Sequence, residues 1–353
     1  MLIVNPEIRR AETLPAEFYT DERYFFESKE KIFVRTWQFL EVVQSVEKKL
    51  TPLVLLEGFL DEPVLLVKDK EDISCLSNVC THRGKILVEE ACDTESIHCG
   101  YHGRRFRLDG KFLSMPEFEG VCDFPSRKDD LMKIPLEVWK EMIFVSLDPK
   151  FDFKDFFREI EPYISQLRLD IKSVSRKDYL VKAHWALYCE NYLEGLHIPF
   201  VHKGLNRVLD FLSYTTNTFR FSSLQVGFTD QRECGFDFQI DGFSEKKHIA
   251  ALYFFVFPNL MFNFYPWGLS VNVVKPLKLD ETLVSYITFV SDESKLNVGA
   301  GADLDTVEIE DQRVVESVQK GIRSRFFKSG RYSPSREKAV HHFHRLIAEF
   351  MNS

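Results

Sequence analysis

The sequence predicts an α+β protein built from two domains. The chain is 353 residues long, and at about 150 residues per domain this length is enough for two hydrophobic cores. Short strand-like runs fill the first half, whereas the second half combines longer apolar strands with amphipathic helices. We expect a helical segment over residues 1–36 that packs on the second domain, a strand-rich domain over residues 37–150 and a second domain over residues 151–353.

The first elements are a helix and a group of short strands. Over residues 22–37, apolar side chains recur near helical spacing, which predicts an amphipathic helix that packs on a core. The runs at residues 63–67, 73–79 and 105–112 are typical of strands, and Asp109-Gly110 predicts a hairpin turn in the last of them. Cysteine and histidine residues lie in the loops between these strands.

The second half of the chain predicts a mostly antiparallel sheet with helices around it. Residues 153–167 have helical spacing, and strands are expected over residues 252–257, 260–264, 269–274 and 284–290. Two amphipathic helices close the chain, one marked by the four-residue spacing from Val314 to Phe326 and one that starts at Ser333-Pro334. Gly299-Ala300-Gly301 lacks the third glycine of a dinucleotide fingerprint, so we expect any flavin or nicotinamide on another protein.

Charge and cysteine content exclude several classes of protein. There are 46 Lys and Arg against 54 Asp and Glu, a net charge of −8, so no overall positive field attracts nucleic acid or an anionic membrane. The apolar stretch over residues 249–265 is interrupted by Pro258 and is too short for a membrane span. Since the seven cysteines are an odd number and the first residues lack the apolar run of a secretory signal, we expect a cytoplasmic protein with free thiols.

Two short motifs place paired Cys and His residues in neighbouring loops. Cys80-Thr81-His82 and Cys99-Gly100-Tyr101-His102 are separated by sixteen residues, and each supplies one thiolate and one imidazole. In a Rieske [2Fe-2S] centre, two Cys bind one iron and two His bind the other, so each of two facing loops must contribute one of each. Zinc is the alternative, but C-x-H is tighter than the usual spacing of zinc ligands. Gly84 and Gly103 would free nearby amides to turn towards the sulfur atoms.

A second group of candidate ligands lies over residues 190–202. Iron(II) that activates O2 needs two His and one carboxylate on one face, and this segment carries Glu194, His197 and His202. Histidines five apart on a regular helix would not face one point, but Pro199 bends the chain between them and makes joint ligation reasonable. Glu194-x-x-His197 also matches the pattern of helical di-iron proteins, but the second such motif that they need would lie on a strand-like segment.

Both motifs resemble those of the Rieske oxygenase large subunits, the ring-hydroxylating oxygenase family. The family pattern is C-x-H, then C-x2-H, followed by E-N-Y-x-E-x-x-H-x4-H, which residues 190–202 match. Two positions depart from it: Arg104 replaces a common Trp, and His184 replaces the Asn of a common Asn-Trp-Lys. The resemblance covers nearly the whole chain. It implies an all-β, sandwich-like Rieske domain and a helix-grip catalytic domain with a curved antiparallel sheet.

The resemblance also implies two sets of metal ligands. The cluster ligands would be the four residues of the first pair of motifs: Cys80, His82, Cys99 and His102. His197 and His202 would bind a mononuclear Fe(II), and Asp311 matches the position of the third ligand. Glu308 and Glu310 are near enough to be alternatives to Asp311. A solvated start of a helix is the other interpretation of these three carboxylates.

Electron transfer and assembly follow from the same resemblance. Glu194 would bridge His197 to His102 of the partner subunit, so that electrons cross a subunit boundary. Such head-to-tail contacts must close, which implies a homotrimer. Electrons would come from NAD(P)H through a separate flavin or iron–sulfur reductase, either directly or by way of a ferredoxin.

The resemblance implies an oxygenase component, a mono- or dioxygenase that uses O2 to hydroxylate or demethylate a small organic substrate. Glu194 stands where aromatic-ring dioxygenases usually have Asp, which resembles the carnitine, choline and glycine-betaine branch and favours a quaternary ammonium substrate. An aromatic or other hydrophobic substrate is the alternative, and a non-enzymatic ligand carrier with structural zinc is a third. Five aromatic residues are candidates for a pocket that holds a cation by cation–π attraction: Phe200, Phe211, Tyr214, Tyr265 and Trp267.

Overall fold

The structure, a computed structural model, describes residues 1–70, 72–165, 167, 173–237 and 247–353. The chain divides into two units. One is Val34–Lys150, and the other combines Met1–Phe33 with Phe151–Ser353. Among the described residues, no helix has both the length and the apolarity that a membrane crossing requires.

The unit Val34–Lys150 is made of short antiparallel strands. Its strands are β1 Gln38–Val42, β2 Leu50–Leu55, β3 Glu62–Asp69, β4 Asp72–Ser77, β5 Ile97–His98, β6 Arg105–Phe106, β7 Phe112–Ser114, β8 Lys133–Ile134, β9 Leu136–Trp139 and β10 Met142–Val145. They form sheets of order β1-β10-β9, β2-β3-β4-β8 and β5-β6-β7. The strand expected over residues 105–112 is in fact β6 and β7, because Gly110 turns the chain between them at φ +84°.

The core of this unit holds both cysteines of the paired motifs. Cys80 and Cys99 are each 3% exposed and pack in one cluster with aliphatic and aromatic side chains from the surrounding strands. Apolar burial therefore anchors the two loops at their cysteine ends.

The other unit is built on one sheet of seven antiparallel strands, as expected. Its strands are β11 Ser173–Val181, β12 Thr215–Thr218, β13 Ser222–Thr229, β14 His248–Val256, β15 Leu260–Tyr265, β16 Gly268–Lys278 and β17 Glu281–Val290. Their order is β11-β17-β16-β15-β14-β13-β12. Every residue of β13 and β15 is buried, because both faces of these strands are covered.

Eight α-helices accompany this sheet in the described part of the chain. They are α1 Ala16–Thr20, α2 Glu22–Ser28, α3 Lys154–Phe157, α4 Glu161–Ile164, α5 Trp185–Tyr192, α6 Ile198–Val201, α7 Leu304–Gly321 and α8 Lys338–Met351. Together with the sheet they give the α+β class that the sequence predicts.

Two predicted helices are shorter than expected. The helix of residues 22–37 ends in a π-helical turn at Lys29–Phe33, because the next carbonyls, of Val34 and Arg35, accept from Asp148 and Lys150 instead. The helix of residues 153–167 is divided into α3 and α4, since Pro162 stands at the first turn of α4 and cannot continue a preceding helix. Position 166 of that prediction lies outside the described residues.

The closing helices also differ in extent from their predictions. Helix α7 begins at Leu304, where the Asp303 carboxylate accepts from the Thr306 amide, so Asp311 lies inside the helix and not at its start. Phe326 lies beyond its end and is 90% exposed. Helix α8 begins at Lys338, five residues after Ser333.

Candidate functional site

The two Cys/His loops have the same backbone construction. The Cys80 amide donates to the Lys85 carbonyl and the Cys99 amide to the Arg104 carbonyl, each at 2.8 Å. Gly84 and Gly103 close the loops by donating to the cysteine carbonyls, at 3.0 and 3.1 Å. Both glycines have positive φ, +71° and +75°, a conformation that side chains disfavour. Two copies of one turn therefore present one Cys and one His each.

The four side chains of these loops converge. The thiols of Cys80 and Cys99 lie close enough for each to shift the pKa of the other, and the rings of His82 and His102 are 4.8 Å apart. Burial raises the pKa of Cys80, whereas amide hydrogen bonds from Tyr101 and His102 overcome burial and lower the pKa of Cys99.

These residues fit a Rieske cluster. The donor set is two adjacent sulfur atoms beside two adjacent imidazoles, which is the Cys2His2 arrangement of that centre. Nδ1 of His82 is buried and has no hydrogen-bond partner within the described residues, which is costly for a polar atom unless it binds a further group. Amide N–H groups directed at both sulfur atoms would stabilise bound thiolates.

Arg104, which departs from the family pattern, connects the two loops through Asp129. Its guanidinium is 2% exposed and donates to the Asp129 carboxylate at 2.7 Å and to the Asp129 carbonyl at 3.2 Å. The hydroxyl of Thr81, in the other loop, donates to the same carbonyl at 2.9 Å. The guanidinium carbon also lies 5.0 to 5.6 Å from the centres of three phenylalanine rings. Arg104 thus occupies the place of an aromatic residue while it holds both loops by hydrogen bonds.

The second donor set brings His197, His202 and Asp311 together. Their ligand atoms all lie within 4.8 Å of one another, and Oδ1 of Asp311 is 3.0 Å from Nε2 of His202 and 3.6 Å from Nε2 of His197. Two histidines and one carboxylate that face one point are the donor set of a non-heme iron(II) site. Asp311, and not Glu308 or Glu310, is the α7 carboxylate that completes this set.

The two histidines converge for a reason other than the expected bend at Pro199. Helix α5 ends at Tyr192, and the chain then makes a separate short helix, α6, with Pro199 in its first turn. His197 and His202 are the N-cap and C-cap residues of this helix, and the His202 amide donates to the Ile198 carbonyl at 3.0 Å. The backbone is therefore not bent between them, and the two imidazoles meet from opposite ends of α6. Their rings are 5.0 Å apart.

A carboxylate holds the far side of each imidazole. Nδ1 of His197 donates to Glu194 at 2.7 Å, and Nδ1 of His202 donates to Glu310 at 2.7 Å. These bonds place the Nδ1 proton of each imidazole on the side away from Asp311, so that Nε2 is the nitrogen that faces Asp311 and is available to a metal. For His202, burial would lower the pKa, but the contacts with Asp311 and Glu310 overcome it and raise the pKa.

Helices α5 and α7 position this donor set across the sheet. Asn191 of α5 donates to Oδ1 of Asp311 at 2.7 Å, and the side chain of Gln319 accepts from the His184 amide at 2.8 Å. His184, which replaces the family Asn, is the N-cap of α5 and accepts from the Ala186 amide at 3.3 Å. Burial lowers the pKa of His184 to about 3, so this cap is a neutral imidazole.

A cavity of about 100 Å³ opens beside His197, His202 and Asp311. Five tyrosines line it: Tyr188, Tyr192, Tyr253, Tyr265 and Tyr286. Among the described residues, no Lys or Arg lines the cavity, whereas Glu194 and Asp311 both line it. Its lining therefore combines aromatic faces with two carboxylates, of which Asp311 belongs to the donor set and Glu194 is hydrogen-bonded to His197.

Four of the five aromatic residues expected in the pocket lie elsewhere, and Tyr265 is the one that lines the cavity. Phe200 projects outwards and is 79% exposed, whereas Phe211 packs under the guanidinium of Arg336. Tyr214 lies behind Tyr253, stacked on it at 6.5 Å. Trp267 is stacked behind Tyr265 at 5.2 Å. The sequence shows which residues are aromatic, whereas the fold decides which of their rings face the cavity.

Sequence reasoning also missed residues that border the site. Tyr188 and Tyr286 line the cavity, and their hydroxyls donate to Glu308. Tyr188 lies only two residues before the iron motif and helical spacing could have suggested it, but Tyr286 comes from a distant strand. Burial raises the pKa of Glu308 to about 7, against the effect of the two tyrosine hydrogen bonds.

Comparison with known proteins agrees with both halves of the site. Residues 168–353 match the family "Ring hydroxylating alpha subunit (catalytic domain)" and residues 37–125 match the "Rieske [2Fe-2S] domain". The chain is 28% identical to chloroplastic choline monooxygenase of Arabidopsis thaliana over 96% of this chain and 83% of that protein. It is 29% identical to the carnitine monooxygenase oxygenase subunit of Escherichia coli (strain K12) over 98% of this chain and 95% of that protein.

Solved structures share the fold. A quaternary ammonium Rieske monooxygenase superposes with a TM-score of 0.79 at 23% identity, over 99% of this chain and all of that one. Naphthalene 1,2-dioxygenase superposes with a TM-score of 0.70 at 18% identity, over 99% of this chain and 95% of that one.

The catalytic-domain match spans more than half of the chain and contains the His197, His202 and Asp311 donor set, while the Rieske match contains all four Cys and His residues of the paired loops. The chain therefore belongs to the ring-hydroxylating alpha subunit family and is a Rieske oxygenase, an enzyme that uses O2, a [2Fe-2S] cluster and a mononuclear iron to oxidise a small molecule.

Proposed function

We propose that this oxygenase hydroxylates or demethylates a quaternary ammonium compound. The observation that carries this proposal is the cavity beside the second donor set, with five tyrosines, two carboxylates and, among its described lining residues, no Lys or Arg. Tyrosine faces attract cations, by roughly 0.5 to 2 kcal/mol for each good contact. An anionic aromatic substrate would instead need a cationic partner in the lining.

The relatives support this choice. Choline monooxygenase and carnitine monooxygenase are both named for substrates with a quaternary ammonium group, and both align over nearly all of this chain. Glu194, the feature by which the sequence resembles that branch, lines the same cavity.

We assign the ligands as follows. Cys80, His82, Cys99 and His102 would hold the [2Fe-2S] cluster, and His197, His202 and Asp311 the mononuclear iron. When bound, these groups supply electrons and the place where O2 is activated. Glu194 and Glu310 keep the Nδ1 protons of the two imidazoles, and the tyrosines orient the ammonium group and exclude water from it.

Assembly and electron supply complete the proposal. Glu194 would bridge His197 to His102 of the partner subunit within a homotrimer, and a separate reductase would deliver electrons from NAD(P)H. We also place the enzyme in the cytoplasm. None of its seven cysteines, all of which lie among the described residues, forms a disulfide, which supports this placement because disulfides are rare in reducing compartments.

A single-turnover experiment tests the substrate class. The purified protein is reduced chemically, exposed to O2 with choline, carnitine, glycine betaine or neutral and anionic aromatics in separate tubes, and the products are identified by mass spectrometry with a formaldehyde assay. We expect oxidised or demethylated amine and unchanged aromatics. Hydroxylated aromatics with untouched amines would contradict the proposal and favour the alternative substrate class.

Asp311→Ala is the control for the ligand assignment. The variant should lose mononuclear iron and turnover while it retains the visible absorbance and the labile sulfide of the cluster, since Asp311 belongs only to the second donor set. Unchanged iron content would move the third ligand to another carboxylate.

A further inference from the structure

Glu308 is a buried carboxylate at the wall of the cavity. Glu308 is 1% exposed, and its Oε2 accepts hydrogen bonds from the hydroxyls of both Tyr188 and Tyr286. These two hydroxyls are 3.1 Å apart, and Gln312 donates to the other carboxylate oxygen at 3.2 Å. Both tyrosines line the cavity, so Glu308 contacts two of its aromatic walls through their hydroxyls.

The partners of Glu308 differ from those of the other carboxylates near the site. Glu194 contacts His197, Glu310 contacts His202, and Asp311 contacts both imidazoles. Within the described residues, the hydrogen-bond partners of Glu308 are neutral. A buried carboxylate without a cation costs free energy, and a cation in the adjacent cavity would reduce that cost.

We propose that Glu308, acting through Tyr188 and Tyr286, is the specificity-determining charge that makes this cavity select a cationic substrate group over a neutral group of the same shape. The inference rests on the proposed function and deepens it. Hydroxyl donation to a carboxylate increases the electron density of both rings, which strengthens their cation–π attraction. In its ionised form the carboxylate adds a Coulomb attraction that water screens less at this depth than at the surface.

The native holoenzyme provides the first test. Binding of choline and of its neutral isostere 3,3-dimethyl-1-butanol, in which a tert-butyl group replaces the trimethylammonium group, is measured by calorimetry without O2. We expect choline to bind about tenfold or more tightly, a factor equivalent to about 1.4 kcal/mol. Equal affinities for the two ligands would overturn the inference before any variant is made.

The variant Glu308→Gln then assigns the selectivity to this residue. It keeps the size and the tyrosine hydrogen bonds but removes the charge, so the choline-to-isostere affinity ratio should fall to near one while affinity for the isostere changes little. The matched control is Glu316→Gln, which removes one charge from the same helix where the side chain accepts from the Lys182 amide. This control should keep the native ratio.

If Glu308 had only a structural role, Glu308→Gln would weaken the binding of both ligands alike and leave the choline-to-isostere affinity ratio unchanged. That result would overturn the inference. If Glu308→Gln does not fold, Tyr286→Phe replaces it: losing the hydroxyl that contacts Glu308 should lower the ratio several-fold, and an unchanged ratio would contradict the proposal. Failure of the proposed function has a different signature, because the native enzyme would then neither bind nor oxidise any quaternary amine of the panel.

Discussion

Single residues of α7 show how one helix separates three carboxylates. Asp311 faces the two imidazoles, Glu310 contacts the far side of His202, and Glu308 is buried behind two tyrosines. Each residue turns the side chain by about 100° around the helix, so neighbours in sequence reach different environments. The sequence grouped these residues as alternatives, whereas the structure gives each one its own partners.

His184 carries a prediction about pH. Its imidazole is buried and neutral, with a pKa of about 3 against an ordinary 6.5. Between these values the unfolded chain binds the additional proton, so His184 makes the fold less stable as the pH falls, by about 1.4 kcal/mol per pH unit. Asn is also a good N-cap and does not titrate. His184→Asn should therefore reduce the stability lost between about pH 7.5 and about pH 5 by about 2 kcal/mol.

Urea unfolding followed at the two pH values measures this difference. Glu308, with its raised pKa of about 7, titrates in the opposite sense, because the folded state then binds the additional proton. It is common to both proteins and cancels in the comparison. If His184→Asn and the parent lose equal stability on acidification, the imidazole is not buried neutral in the fold.

At the scale of elements, the two Cys/His loops depend on paired glycines. Gly84 and Gly103 hold equivalent positions with similar positive φ, but their surroundings differ. A Cβ atom on Gly84 would meet no atom within 4 Å, whereas on Gly103 it would lie 3.3 Å from Cγ of Pro116. A side chain would therefore strain the backbone at both positions, but it would meet a close neighbouring atom only at Gly103.

This difference predicts an ordered pair of variants. Gly84→Ala should destabilise its loop by about 1 to 2 kcal/mol, the cost of the left-handed conformation for an L-residue, and Gly103→Ala should cost more because Pro116 must also move. Bleaching of the cluster absorbance during thermal unfolding measures loop stability. Equal effects of the two substitutions would show that Pro116 yields without cost, and no effect of either would contradict the strained turn.

At the scale of the whole molecule, the two donor sets belong to different units of the chain. The proposed trimer would use the cluster of one subunit with the iron of the next. One turnover would then require residues of two chains, which activity measurements on mixed assemblies can detect.

Mixed assemblies test that cooperation. Cys99→Ala, which removes a proposed cluster ligand, and Asp311→Ala, which removes a proposed iron ligand, should each be inactive alone. Co-expressed with different affinity tags and purified through both, they should recover a measurable fraction of parent turnover, because an intact cluster can lie next to an intact iron site. The control is an assembly of Asp311→Ala with a variant that carries both Cys99→Ala and Asp311→Ala. This assembly has no intact iron site. Mixed trimers as inactive as this control would place electron transfer within one chain.

The sequence by itself determined what depends on local chemistry. It indicated the Cys/His loops and the His197 and His202 pair because ligand types at short spacing carry their chemistry with them. Asp311 followed only from the family resemblance, because it lies far along the chain from the two histidines. It also determined the antiparallel sheet, since apolar runs between turns predict buried strands. The tertiary structure decided what depends on register and packing. Tyr286 reaches the site from β17 and Glu308 and Glu310 reach it from α7, whereas the expected Phe200 projects outwards from α6. Residues that meet in the folded chain have no fixed separation along the sequence, so packing decided these placements.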